Sequence, residues 1–184
     1  MKKIIYPILL IIFIIISYFS YTIIFPKSPL KTTKKINDIA LIEYSSPSKN
    51  DRLIFGNKDE GALVPFGEYW RTGANRHTFI ENKKTLIFTD RELNKDYELK
   101  PGKYSIYTIP SKDSWEIFFN SEVNFLGINR PSVKYDLFSI TVESTPLLKS
   151  IEDFSIEFDE LGNNQFSIDF AWDKTKVTLF FRVK

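Results

Sequence analysis

Strict alternation of apolar and polar residues in the last third of the chain is the feature that most limits the fold. It runs through Phe154–Phe158, Phe166–Trp172 and Val177–Val183, with an aromatic or aliphatic side chain at every second position. Successive side chains of a β-strand point to opposite faces, so a period of two predicts half-buried strands. Turn residues separate them at 161–164 (LGNN) and 173–175 (DKT). We therefore expect two consecutive hairpins.

Shorter segments of the same kind fill the chain from residue 38 onward, with no amphipathic helix among them. They are Ile39–Tyr44, Arg52–Gly56, His77–Glu81, Lys84–Thr89, Lys103–Ile109, Trp115–Asn120 and Leu137–Glu143. This pattern predicts an all-β domain over residues 38–184, an antiparallel β-sandwich of about eight or nine strands. A closed or flattened barrel is the alternative.

The N-terminal segment has a different character. From Ile4 to Phe25 it runs for 22 residues without a charged side chain, about 33 Å as a helix and enough to cross a bilayer. We expect a short tail over residues 1–3, a transmembrane helix over residues 4–25 that binds the membrane, and a juxtamembrane linker over residues 26–37. Because residues 17–25 (SYFSYTIIF) offer no good small-x-small cleavage site, an uncleaved anchor is favoured over a cleaved signal peptide.

Composition excludes several classes of function. The first 37 residues carry six lysines and no acid, so the remainder holds 19 basic and 23 acidic residues. A mildly acidic body argues against nucleic acid as a partner, since binding phosphates needs a clustered basic face. With no cysteine and one histidine, thiolate and multi-histidine metal sites are excluded, and we expect neither a cofactor nor a metal.

The segment 63–80, LVPFGEYWRTGANRHTFI, concentrates the polar groups that suit a functional loop. In a ligand-binding interpretation, Arg71, Asn75 and Arg76 hold a small anionic or sugar-like ligand, and Trp70 is its stacking platform. In an architectural interpretation, Trp70 fills the core, while Arg71 caps loop carbonyls or pairs with Glu68. The architectural interpretation is favoured, and the ligand site stays open.

A catalytic interpretation of the same segment needs a neutral-pH base, and His77 is the one histidine available. A hydrolase or lyase would then use His77, Arg71 and Arg76 in one cleft. The chain has no G-x-S-x-G motif to supply a nucleophile. A histidine on the protein surface is therefore favoured over a catalytic base.

Four blocks of sequence resemble a bacterial family known as domain of unknown function 2911. They are Arg52–Gly56 (RLIFG), Leu63–Gly67 (LVPFG), Trp70–Asn75 (WRTGAN) and Pro101–Pro110 (PGKYSIYTIP). Where that family usually continues with Glu-Ala-Thr after the third block, this chain has Arg76, His77 and threonine. The family is uncharacterised and usually exported, so the resemblance implies an exported domain and no particular activity.

These observations lead to one expectation about function and two alternatives. We expect a single-pass membrane protein with an extracytoplasmic β-domain, in the periplasm or at the cell surface, that binds a ligand or belongs to the cell envelope. The alternatives are an enzyme with the Arg71, Arg76 and His77 cleft, and a carbohydrate-binding module. If the N-terminal segment is cleaved, the product is instead secreted or periplasmic.

Overall fold

The computed structural model describes residues 2–25, 28, 30–36, 38–91, 93–123 and 129–184. Its single α-helix, α1, spans Lys2–Ile24, which confirms that the apolar N-terminal run is helical. Within these described residues, no helix is long and apolar enough to cross a membrane. The membrane span predicted for residues 4–25 is therefore not supported by the structure.

Eleven strands account for most of the remaining chain, and they confirm the predicted all-β class. Their bounds are β1 Leu30–Ile36, β2 Ala40–Ser45, β3 Phe55–Gly56, β4 Val64–Pro65, β5 Thr78–Asn82, β6 Leu86–Asp90, β7 Lys95–Leu99, β8 Gly102–Pro110, β9 Ser114–Asn120, β10 Asp136–Gly162 and β11 Gln165–Val183. Nine form one antiparallel sheet in the order β1-β2-β5-β8-β9-β10-β11-β6-β7, and β3 pairs with β4 in parallel. Short 3-10 turns occupy Lys58–Glu60 and Val133–Tyr135.

The strands join into one hydrogen-bonded sheet because β10 and β11 are unusually long. The first part of β10 pairs with β9, and its second part pairs with β11. The far end of β11 pairs with β6. Of the two predicted hairpins, the one at 161–164 is confirmed. The one at 173–175 is wrong, since β11 continues through Asp173. The φ of Asp173 is 50°, and this residue lies opposite a bulged part of β10 where the register shifts.

The sheet folds over on itself, and the core lies between strands that are not neighbours. Phe88 of β6 contacts Phe119 of β9 with ring centroids 4.8 Å apart. Tyr44 of β2 meets Phe154 of β10 edge-to-face at 5.7 Å. All four side chains are at most 2% exposed. Interdigitated aromatic side chains of this kind dominate the stabilisation of a core.

The predicted linker over residues 26–37 contains a strand. Leu30–Ile36 forms β1, which pairs antiparallel with β2 from Leu30 opposite Ser45 onward. The hydroxyl of Thr33 donates a hydrogen bond of 2.8 Å to the carbonyl of Ile156 on β10. The polar, lysine-rich composition of β1 suits an edge strand, where charged side chains discourage pairing with another chain. The β-domain therefore begins near residue 30 rather than residue 38.

The small parallel pair β3–β4 brings two of the sequence blocks together. Val64 donates a backbone hydrogen bond to Ile54 at 2.8 Å, and Leu63 donates one to Leu53 at 3.0 Å. Ile54 is fully buried and Val64 is 2% exposed. This pairing fixes the RLIFG and LVPFG blocks side by side, next to the WRTGAN loop.

Candidate functional site

The WRTGAN loop has an unusual backbone conformation where it leaves the sheet. Trp70 forms an isolated antiparallel bridge with Thr108 of β8, with N–O distances of 2.8 and 2.9 Å. The next residues turn sharply, because Thr72, Gly73 and Asn75 have φ values of 54°, 148° and 60°. A β-branched residue such as Thr72 rarely takes a positive φ, so this loop stores backbone strain of the kind found at ligand sites.

Close packing explains the glycine in this loop. A Cβ on Gly73 would lie 2.7 Å from the backbone oxygen of Ser45, well inside van der Waals contact. Ala74 donates a backbone hydrogen bond of 3.2 Å to the same oxygen, and the hydroxyl of Thr78 donates one of 2.6 Å to the carbonyl of Thr72. The loop is thereby fixed against the end of β2 and the start of β5.

Trp70 belongs to the core. Its ring stacks on Trp172 at 5.8 Å and 18°, and meets Trp115 and Phe154 edge-to-face at 5.5 and 5.0 Å. Its indole Nε1 donates to the carbonyl of Gly73 at 3.0 Å. With Trp70 8% and Trp172 0% exposed, neither ring offers a free face to a ligand.

A surface groove of about 520 Å³ lies over this loop. Three of the sequence blocks line it: Arg52 from the first, Leu63 and Val64 from the second, and five residues of 70–75 from the third. Two arginines, Arg52 and Arg71, contribute positive charge, and none of the described residues that line the groove is Asp or Glu. The volume is within the range of small-molecule sites.

The two arginines of the groove differ in how many hydrogen bonds they donate to described residues of the protein. Arg52 caps its own loop by donating from Nε to the carbonyl of Lys49 at 2.9 Å and from Nη2 to that of Ser48 at 2.5 Å. Arg71 is half-buried, and within the described residues it donates one hydrogen bond, from Nη1 to the carbonyl of Asn75 at 3.4 Å. A guanidinium has five N–H donors in a planar fork, so most of the Arg71 fork is available.

Two further contacts involve residues in or next to this loop. The side-chain amide of Asn75 donates to the carbonyl of Ser28 at 3.2 Å, which connects the loop to the chain just after α1. Glu68, a suggested partner of Arg71, pairs instead with Lys58 at 2.7 Å. Of the two alternatives in the architectural interpretation, the pairing of Arg71 with Glu68 is therefore wrong, and Arg71 instead donates to a loop carbonyl, that of Asn75.

His77 is buried, with 1% of its surface exposed, so the expected surface histidine is wrong. Its Nε2 lies 3.0 Å from the carbonyl of Asn129 and 3.1 Å from the hydroxyl of Tyr69. A carbonyl only accepts, so Nε2 carries the hydrogen, and Nδ1 is left without a hydrogen-bond partner among the described residues. Burial lowers the pKa of His77, and the charge of Arg71 adds to this effect against the opposing Asn129 carbonyl.

A tyrosine pair extends this buried polar cluster away from the groove. The rings of Tyr69 and Tyr107 are 5.4 Å apart. The hydroxyl of Tyr107 donates to Asp136 at 2.7 Å and accepts from Arg130 at 3.0 Å. Burial raises the pKa of Tyr69 to about 12. Burial, followed by the hydrogen bond to Asp136, also raises the pKa of Tyr107. Both tyrosines are therefore neutral hydrogen-bonding groups, and Tyr69 is the one that contacts His77.

The structure separates the residues that the sequence grouped together. Arg71 and Asn75 line the groove together with the edge of Trp70, while Arg76 is exposed outside its lining and His77 lies in the buried cluster. Among the described residues, Arg71, Arg76 and His77 do not converge on this groove, so it does not form the cleft proposed for an enzyme. Within the part of the chain that the structure describes, no group of three potential ligand side chains is placed to hold a metal ion.

Sequence reasoning missed two parts of this region. It overlooked Arg52 and Trp172 as neighbours of the WRTGAN loop, although the RLIFG block was visible as a motif. It also missed the cluster of Tyr69, Tyr107 and Asp136, whose members are 29 to 67 residues apart and carry no spacing signal.

Fold and groove together define an antiparallel β-domain with one strained loop set in a basic surface groove. The chain belongs to the family described as protein of unknown function (DUF2911), whose model matches residues 26–181. No curated protein and no solved structure matches the chain.

Proposed function

We propose that this chain is a membrane-attached, extracytoplasmic binding protein, and that the groove over the WRTGAN loop is its ligand site. The observation that carries the proposal is convergence: three blocks separated along the chain, at residues 52, 63–64 and 70–75, line one groove. Core packing alone needs no such opening, and backbone strain at Thr72 and Asn75 is typical of a loop held in place for binding.

Attachment through α1 is supported by the sequence and by the exposure of the helix. Residues 4–25 contain no charged side chain, and apolar side chains are exposed all around the helix, among them the four consecutive residues Ile11 at 56%, Ile12 at 46%, Phe13 at 67% and Ile14 at 56%. A helix that is apolar on every face needs an apolar environment. A bilayer would provide it, with the amino end inside and the β-domain outside.

Geometry favours binding over the two alternatives. A carbohydrate module needs an exposed aromatic face, and the ring of Trp70 is covered by Trp172 and its neighbours. A hydrolase or lyase needs a base in the groove, and His77 lies outside its lining.

A ligand screen by thermal shift on the full chain in detergent micelles tests the groove, since a bound ligand raises the unfolding midpoint by mass action. Ala74→Trp places a bulky ring into the groove, and Lys112→Trp adds the same ring to an exposed site outside it. Compounds should stabilise the parent and the Lys112 variant but not the Ala74 variant. Ligands that stabilise all three proteins equally would show that the groove is not the site.

Attachment and orientation are tested separately by fusing reporters after residue 184, one active only in the cytoplasm and one only outside it. We expect activity from the second alone, in the membrane fraction. A cytoplasmic signal would overturn the proposed location, and a soluble fusion protein would overturn the anchor.

A further inference from the structure

Within the described part of the chain, polar groups gather outside the core at the groove, at the buried His77 cluster and at a cleft between β10 and β11. At the groove, three observations point to the same kind of ligand: its charge, the hydrogen-bond donors of Arg71, and its closeness in sequence to α1. The inference drawn from them rests on the proposed function and specifies the chemistry of the ligand and where it binds.

Charge in the groove points to an anion. Arg52 and Arg71 are the charged residues among its described lining. Asp153 accepts from the hydroxyl of Ser48 at 2.6 Å and Glu152 accepts from the backbone of Asn50 at 2.8 Å, and neither carboxylate is part of the described lining. The positive charge of the two arginines therefore faces the groove without a carboxylate in the lining.

The donors of Arg71 point to an oxyanion with two accepting oxygens. Its one hydrogen bond among the described residues is long, at 3.4 Å, and its side chain is half-buried at the groove wall. A planar fork of this kind binds carboxylate or phosphate through two parallel hydrogen bonds. An ammonium group at the same place would offer charge without that geometry.

The position of the groove in the chain points to the membrane surface. Ser28 lines the groove, and its carbonyl accepts the hydrogen bond from Asn75. The helix α1 ends at Ile24 and is followed by a bend at Phe25, three residues before Ser28. Three residues span at most about 11 Å even when fully extended. With α1 in a bilayer, the groove would lie within reach of the lipid headgroups.

We propose that Arg71 anchors an oxyanion-binding site at the membrane surface, where the groove takes a phosphate or carboxylate group. That group comes from one of two sources, an anionic phospholipid headgroup or a soluble acid. The chemistry is the same in both cases, with Arg71 as the bidentate partner and Arg52 as a second positive charge.

The test uses the full chain in nanodiscs of phosphatidylcholine, with the unfolding midpoint as readout. Probes come in matched pairs, sn-glycerol 3-phosphate with glycerol and D-galacturonate with D-galactose. We expect each acid to raise the midpoint and its neutral counterpart to have no effect. Arg71→Gln should abolish the response, and Arg71→Lys should weaken binding at least about tenfold, the loss expected for a hydrogen bond to a charged group. Arg91→Gln, at a site outside the groove, should respond like the parent.

A second set of nanodiscs, containing phosphatidylglycerol, separates the two sources. If the headgroup is the ligand, these discs raise the midpoint of the parent themselves and suppress its response to the acids. If a soluble acid is the ligand, the response to the acids is unchanged. Either result supports the oxyanion site if Arg71→Gln abolishes the corresponding change in the unfolding midpoint.

Two outcomes would overturn the inference, and they differ in what they say about the groove. If neutral probes bind as well as the acids, or if Arg71→Gln binds like the parent, the oxyanion site is refuted while the groove remains a ligand site. If no probe binds and the wider screen also finds no ligand blocked by Ala74→Trp, the proposed function fails as well.

Discussion

Replacement of Trp70 by alanine should lower the unfolding free energy of the β-domain by about 5 kcal/mol, near the top of the range for a buried aromatic. Trp70 is 8% exposed and contacts Trp172, Trp115 and Phe154 with centroid distances of 5.8, 5.5 and 5.0 Å. Its indole also supplies the hydrogen bond to the buried carbonyl of Gly73. Alanine removes all of these contacts together.

The magnitude follows from two losses that overlap. Truncating a buried tryptophan to alanine costs about 3–5 kcal/mol, and leaving a buried carbonyl without a donor costs about 1–3 kcal/mol. Both act on one site and are not additive, so about 5 kcal/mol is the expected total. Trp70→Phe keeps a ring but loses the indole N–H, and should cost about 1–3 kcal/mol by the same reasoning.

The assay is urea unfolding of the full chain in detergent, followed by far-ultraviolet circular dichroism because the substitution removes a fluorophore. A loss of about 5 kcal/mol corresponds to a fall of roughly 10–20 °C in the melting temperature for a chain of this size. Phe180→Ala is the control, since Phe180 is 40% exposed and should cost under about 1 kcal/mol. If the Trp70 and Phe180 variants unfold at the same urea concentration, the assignment of Trp70 to the core is wrong.

Two further predictions concern the loop and the buried histidine. Gly73→Ala should lower the free energy of unfolding in urea by at least about 2 kcal/mol, because its Cβ would meet the oxygen of Ser45 and its φ is 148°. Gly67→Ala is the control, since Gly67 has a φ of 74° and open space around it, and should cost about 1 kcal/mol. Equal costs for the two variants would contradict the close approach of Gly73 to Ser45. His77 has a pKa lowered from 6.5, chiefly by burial, so the unfolded chain takes up a proton that the folded chain resists. Stability should therefore be full above about pH 6.5 and decrease as the pH falls below it. In His77→Gln this part of the pH dependence should be absent, and identical pH profiles for the two proteins would refute it.

Strict alternation of apolar and polar residues predicted the strands well, but the segment 173–175 was predicted as a turn although β11 continues through it. Asp173 illustrates why: Asp and Asn take positive φ both in hairpin turns and in β-bulges. Their presence alone does not tell whether the chain reverses or continues. Here Lys49 and Ser150 both donate to the carboxylate of Asp173 at 2.6 Å. These long-range contacts hold Asp173 within β11, opposite the bulged part of β10, and they have no signature in the local sequence.

β1 was missed for a related reason. Its sequence, LKTTKKI, is polar and follows two prolines, which is typical of a linker. What makes it a strand is the open edge of β2, which offers unpaired backbone groups from Ala40 to Ser45. Pairing at a sheet edge depends on the backbone of the neighbour, so side-chain patterning within β1 carries little information about it.

For the site, the sequence identified the loop but not the environment of each residue. The burial of Trp70 agrees with the favoured architectural interpretation. The burial of His77 was not predictable, because it depends on Asn129 and Tyr69, of which the first lies 52 residues away. Contacts at such separations are decided by the folded chain as a whole.

The bridge between Trp70 and Thr108 explains how one short motif can stabilise the core and also carry the proposed ligand site. Extended backbone at this bridge sends neighbouring side chains to opposite sides, so Trp70 enters the core while Arg71 faces the groove. The positive φ of Thr72 then turns the chain back, so that Gly73, Ala74 and Asn75 line the same groove. Loss of binding in a Trp70 or Gly73 variant would therefore reflect a displaced loop. Among the described residues Arg71 makes one long hydrogen bond, so its substitution tests binding with little effect on the fold.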